Sequence, residues 1–201
     1  MMQKILITGY IISIKFVLFL GMLSCTNQPG LTENAANKKD EASKVEVILL
    51  KDDTTSTVHI SKYVLVTKKN ENRLQDATEI LTTKRKWPLA VQSKKEADFN
   101  AILTGNFTFT ADEKIMNRTE YIQSRTANSD WVITNVYYDN LILQFFDGYA
   151  VLSYHNQVTN ENIKTKEKEI ELISWVDVYT KENDSWKINA AHVIEHSVTK
   201  Q

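Results

Sequence analysis

From Glu71 onward the apolar residues recur with helical spacing. Leu74, Ala77, Ile80, Leu81, Trp87 and Val91 fall near one broad face, the pattern of an amphipathic helix laid on a core. Pro88 stands inside this stretch and, having no N–H to donate to the residue four back, is expected to kink or divide the helix. A second short helix is predicted over residues 94–103, burying Ala97, Phe99, Ile102 and Leu103, with Gly105 placed for a left-handed cap just beyond it. Phe107 and Phe109 flank Thr108 in a short strand. Asn117-Arg118-Thr119-Glu120 has the form of a capping box, opening a third helix that turns Tyr121 and Ile122 inward.

After Asp130 the period changes to that of strands, predicted near residues 131–138, 141–146, 149–157, 168–181 and 185–197. Asp147-Gly148 is a two-residue hairpin signal, and Glu182-Asn183-Asp184 makes the last turn. Helices followed by consecutive antiparallel strands imply an α+β fold with the helices on one face of a curved sheet. Side chains alternate across a strand, so Ile173, Trp175, Asp177 and Tyr179 share one face. Trp186, Ile188, Ala190, His192, Ile194 and His196 share another. Residues 44–69 alternate loosely, with Asp52-Asp53-Thr54-Thr55-Ser56 as turn chemistry, and read as a β-hairpin outside the main domain, which is assigned to residues 70–201.

The 201 residues carry 24 Lys and Arg against 25 Asp and Glu, a net charge of −1, so no basic field points to nucleic acid. A single cysteine excludes an intrachain disulfide framework and a cysteine-based zinc site. That cysteine, Cys25, directly follows Met22-Leu23-Ser24 at the end of an apolar segment containing Lys4 and Lys15 and no acid. This looks like a bacterial lipobox, with residues 1–24 as the signal peptide and Cys25 as the lipidated mature amino terminus. Met22 departs from the usual leucine. Two or more acyl chains anchor stably where one alone is marginal. Residues 25–43 are rich in Asn, Lys, Glu and Ala and read as a flexible tether. The expected location is the bacterial cell envelope, anchored to the outer membrane and facing the periplasm.

The order of elements, together with Asp147-Gly148-Tyr149-Ala150-Val151-Leu152, Trp175-Val176-Asp177-Val178-Tyr179 and Asp184-Ser185-Trp186-Lys187-Ile188-Asn189-Ala190-Ala191-His192, resembles the nuclear-transport-factor-2-like superfamily and its SnoaL-like relatives. The resemblance spans about residues 73–196. It implies a cone-shaped, strongly curved antiparallel sheet packed on N-terminal helices. In ketosteroid isomerases of similar fold, an aspartate at the position matching Asp177 stays neutral in apolar surroundings and donates to a developing oxyanion. Their general base falls near Ala111, with Asp112 one residue away, and their helix-one tyrosine falls near Trp87. Two of those three positions are therefore unfilled.

The residues expected around an interior pocket are Trp87, Phe107, Phe109, Tyr121, Trp131, Trp175, Asp177, Tyr179 and His192. Three readings follow. The first is a lipoprotein that binds a small apolar molecule without catalysis, with no cofactor. The second is a small isomerase or hydrolyase using Asp177 and His192. The third is an interaction module that forms a homodimer through the outer face of its sheet, where Val176 and Val178 lie. His59, His155, His192 and His196 lack metal-ligand spacing: on a strand, residues four apart stand about 13 Å from one another. No metal site is expected.

Overall fold

The computed structural model describes residues 43–51 and 56–200; the predicted signal peptide, Cys25 and almost all of the tether lie outside them. The described elements are strands β1 (Ser43–Leu49), β2 (Val58–His59) and β3 (Lys62–Lys68), helices α1 (Leu74–Ser93) and α2 (Glu96–Ile102), strands β4 (Leu103–Ala111) and β5 (Lys114–Asn117), helix α3 (Arg118–Thr126), and strands β6 (Trp131–Phe145), β7 (Tyr149–Asn162), β8 (Lys168–Glu182) and β9 (Ser185–Lys200). The strands form one nine-stranded sheet in the order β1-β3-β6-β7-β8-β9-β4-β5, with β2 also paired to β6. The fold class is α+β, a curved sheet carrying helices, as the element order implied.

The pairing is mixed. β6 to β9 make an antiparallel meander, whereas β3 and β2 run parallel to β6, and β4 runs parallel to β9. The hairpin of residues 44–69 therefore belongs to the main sheet. Val58, Ile60, Tyr63 and Leu65 are buried in its core, so no boundary exists at residue 70. The opposite happens on β1, where Val45, Val47 and Leu49 are exposed.

Several local readings are corrected by packing. α1 runs unbroken through Pro88, because proline's fixed φ is itself helical and Trp87 and Ala90 bury the helix face on either side. Gly105 lies within β4 and donates its N–H to Glu182 Oε2 at 2.9 Å, while Leu103 closes α2 in an extended conformation. Ala97 is exposed; Phe99, Ile102 and Leu103 are buried. The capping box is present: Asn117 Oδ1 accepts from Glu120 N at 3.0 Å, and Glu120 Oε2 accepts from Asn117 N at 2.9 Å. Gly148 takes φ +87° in the β6–β7 turn, and Asn183 and Asp184 are also left-handed in the β8–β9 turn.

The strands predicted at 131–138 and 141–146 are one strand, β6. Its register shifts between Asp139 and Ile142, where Asn140 is left-handed at φ 51°. Because side chains alternate with a period of two, this irregularity switches the buried positions from Val136 and Tyr138 to Leu141, Leu143 and Phe145. β9 has two such shifts, opposite Val178/Tyr179 and opposite Ser174/Trp175. Irregularities of this kind bend a sheet and increase its twist, which curves the meander over α1.

Candidate functional site

Helix α1 brings a lysine into the interior. Lys84 follows Leu81 and precedes Trp87 by three residues each, so it occupies the same stripe as the buried Ala77, Ile80 and Leu81. Its Nζ lies 2.8 Å from Asp177 Oδ2 on β8, with side-chain exposures of 3% and 0%. It also donates to the Tyr154 hydroxyl on β7. Aromatic faces enclose the ammonium: its nitrogen is 4.0 Å from the Tyr154 ring centroid, 4.5 Å from Trp87 and 5.5 Å from Tyr138.

Such burial disfavours charge on either partner. Desolvation pulls the Lys84 ammonium below its ordinary range, and Asp177 restores only part of it. Desolvation likewise raises the Asp177 carboxyl, against the lowering effect of Lys84 and of the hydroxyls of Tyr154 and Tyr179. Both groups are thus displaced toward neutrality. Asp177 Oδ1 and the Tyr179 hydroxyl are buried without a hydrogen bond of ordinary geometry. Burial and the neighbouring carboxylate push the phenols of Tyr138, Tyr154 and Tyr179 well up.

Beside this pair lies a cavity of about 370 Å³, walled by α1, the end of α3 and strands β6 to β8. Lys84, Trp87, Tyr121, Tyr138, Tyr154 and Trp175 line its inner part. Tyr121 anchors the aromatic wall: its hydroxyl accepts from Trp87 Nε1 at 2.7 Å, and its ring lies 5.0 Å from Phe109 and 5.2 Å from Phe107. Trp175 Nε1 donates to Asn156 Oδ1 at 3.1 Å.

Of the residues expected around the pocket, Trp87, Tyr121, Trp131 and Trp175 line the cavity. Phe107 and Phe109 are buried behind Tyr121 and do not reach it. Asp177 and Tyr179 point inward and are fully buried, but lie outside the lining. His192 is a correction. The register shift opposite Val178/Tyr179 turns Ala191 inward beside Asp177, while His192 pairs with Val176 and is exposed. The proposed meeting of Asp177 and His192 does not occur.

Lys84 and Tyr154 were missed as site residues. Lysine's charge set it apart from the apolar stripe, yet its spacing was already visible: a cation on a buried helix face requires a buried counter-charge, and Asp177 is inward on its strand. Among the described residues, no group of three or more His, Cys, Asp or Glu side chains is placed to hold a metal.

No family model matches the sequence, and no curated protein matches it. Solved structures do. A nuclear-transport-factor-2-like protein of Cytophaga hutchinsonii aligns with a TM-score of 0.50 at 15% identity, covering 61% of this chain and 98% of the other. A scytalone-dehydratase-like protein of Novosphingobium aromaticivorans aligns with a TM-score of 0.57 at 12% identity, covering 63% and 88%. A hexachlorocyclohexane dehydrochlorinase of Novosphingobium barchaimii aligns with a TM-score of 0.51 at 13% identity, covering 63% and 92%. With this shared architecture, the chain carries a domain of the nuclear-transport-factor-2-like fold.

Proposed function

We propose that this protein is a lipid-anchored component of the bacterial cell envelope whose domain binds a small, flat, largely apolar molecule without transforming it. The observation that carries the binding reading is the aromatic-walled cavity with Lys84 and Tyr154 at its inner end. Pockets that take small ligands combine apolar walls with a few placed polar groups. Here the walls are Trp87, Tyr121, Tyr138 and Trp175, and the inner polar atoms are already bonded to one another. The ammonium is committed to Asp177, and His192, the partner expected for Asp177 in a catalytic site, is exposed. The lipid anchor is supported by the sequence alone, through Cys25 and the apolar segment before it.

A second reading is favoured by one feature. An amine pulled below its ordinary range at the edge of an aromatic-walled cavity is suited to taking a proton from a ligand, as an isomerase or lyase requires. In that reading Lys84 is the base, Asp177 positions it, and His192 has no part.

Calorimetric titration of the full chain with neutral 2-naphthamide tests the pocket. Saturable binding is expected, and its loss in Ile173→Trp, which fills the cavity from β8, with an unchanged circular dichroism spectrum. Binding that is absent in the wild type, or untouched by Ile173→Trp, overturns the reading. Proton exchange or isomerisation of a bound ketone, abolished by Lys84→Met, would replace it with the enzymatic one. For the anchor, Cys25→Ala is expected to leave an unprocessed precursor in the membrane fraction, and normal processing of that variant overturns it.

A further inference from the structure

Five charged side chains line the cavity: Lys84, Lys94, Arg125, Glu169 and Glu171. Three of them face a side chain that can pair with them. Lys84 pairs with Asp177 at 2.8 Å, Glu171 Oε2 lies 2.8 Å from His196 Nε2, and Glu169 faces Lys200 at 3.8 Å. Glu171 also accepts from Asn160. The remaining two are cations from the last turn of α3 and the C-cap of α1. Lys94 Nζ donates to the Ser129 carbonyl at 2.7 Å, and among the described residues neither it nor Arg125 has a carboxylate partner.

Arg125 is held against the aromatic wall, where it draws the Tyr121 phenol down against the effect of burial. Its guanidinium carbon lies 5.2 Å from the Tyr121 ring centroid and 5.7 Å from that of Phe109, so the group is seated on two aromatic faces. Its Nε is buried with no hydrogen-bond partner. A guanidinium seated in this way loses little further freedom when it pairs, and its N–H fork matches the two oxygens of a carboxylate.

Resting on the pocket reading above, we propose that the cavity takes a small aromatic or alicyclic carboxylate. Its ring system lies against Trp87, Tyr121 and Trp175, and its acid group pairs with Arg125, with Lys94 adding positive potential at the rim. The inner Lys84 is not the anion's partner, because Asp177 already neutralises it. Glu169 and Glu171 stand on the β8 side of the opening, where they face Lys200 and His196.

The test is calorimetric titration of the full chain with two probes of one shape, 2-naphthoate and neutral 2-naphthamide, at neutral pH. The acid is expected to bind at least about tenfold more tightly than the amide, as a charge-assisted bidentate pair adds to an otherwise equal contact. Arg125→Gln is expected to reduce the acid to the amide's affinity and leave the amide unchanged, which also shows that the variant is folded. Arg125→Lys, keeping the charge but losing the fork, is expected to fall between. Equal binding of acid and amide by the wild type overturns the carboxylate proposal and leaves the pocket reading standing. So does a preference for the acid that survives Arg125→Gln. Binding of neither probe overturns both.

Discussion

Two ion pairs join α1 to β8, and the carboxyls in them are shifted in opposite directions. Near the start of the helix, Asp76 accepts from Trp186 Nε1 at 2.7 Å, Lys181 Nζ at 3.1 Å and Arg73 Nη1 at 3.1 Å, and its side chain keeps 18% exposure. About two turns onward, Lys84 meets Asp177 at 2.8 Å with almost no exposure. The partners on the strand, Lys181 and Asp177, are four residues apart, so the order of charge along the helix is mirrored along β8. Burial raises both carboxyls. At Asp76 three donors outweigh it and the pKa falls below its ordinary value; at Asp177 they do not, and it stays raised. Both carboxyls have three groups that favour the charged form, so what separates them is the depth of burial that those groups must offset.

The contrast can be broken most strongly at its buried end. Asp177→Ala leaves Lys84 without its counter-charge, and a loss of about 3–5 kcal/mol is expected in urea unfolding of the full chain. The double variant Lys84→Met/Asp177→Leu is expected to recover most of that loss, since a well-packed apolar pair replaces a buried ionic one at little cost. A single variant within about 1 kcal/mol of wild type would show that Lys84 and Asp177 do not depend on each other. At the wetter end, Asp76→Ala removes the acceptor of Trp186 Nε1 and of two cations, with an expected loss of about 2 kcal/mol. If Asp76→Ala proved as costly as Asp177→Ala, the difference in burial would not be what separates the two sites.

The pH dependence sharpens the comparison, because the two carboxyls have opposite signs. Asp76 is depressed in the folded state, so its contribution is present above the ordinary value of 3.8 and is lost as pH falls through the folded pKa. Asp177 is raised, so its contribution is present below that value and is lost as pH rises through the folded pKa. Lys84 is lowered: the folded state binds fewer protons, and stability returns as pH climbs toward 10.5. Melting temperatures across pH should therefore show a shallower acid limb in Asp76→Asn. They should also show the Lys84→Met/Asp177→Leu variant gaining most, relative to wild type, at intermediate pH. A double variant that tracked wild type at every pH would remove the pair from the titration. The smallest effect belongs to Lys181→Met. Its side chain is 47% exposed, so the expected loss is under about 1 kcal/mol, diminishing with added salt; a larger loss would show the outer network to be more than a surface contact.

The aspartate of the inner pair was legible and the lysine was not read, although both lie on inward positions of their elements. Asp177 sits in the alternation Ile173, Trp175, Asp177, Tyr179, which runs through β8 without interruption. His192 was misplaced by the same rule, because β9 contains a register shift between Asp177 and Tyr179's partners that no local signal announces. The hairpin of residues 44–69 shows the same limit in another form. Tyr63 and Leu65 were grouped correctly on one face, yet their partner, β6, is more than seventy residues away and runs parallel. Arg125, in the last turn of α3, carries no local signal of its place on the cavity wall, because that wall is assembled from α1, α3 and strands distant in sequence.

The sequence by itself determined the α+β class, the capping box at Asn117, the turn at Gly148, and the inward course of Asp177 and Tyr179. Each follows from a period or a turn preference acting over a few neighbouring residues, which the local chain specifies unaided. Only the tertiary structure decided that β3 closes onto β6, that α1 passes through Pro88, that His192 faces outward, and that Lys84 is the partner of Asp177. Those depend on register between strands distant in sequence and on which buried charges meet. A one-residue shift in pairing reverses every side chain beyond it, and the free energy that selects the register is that of the whole packed core.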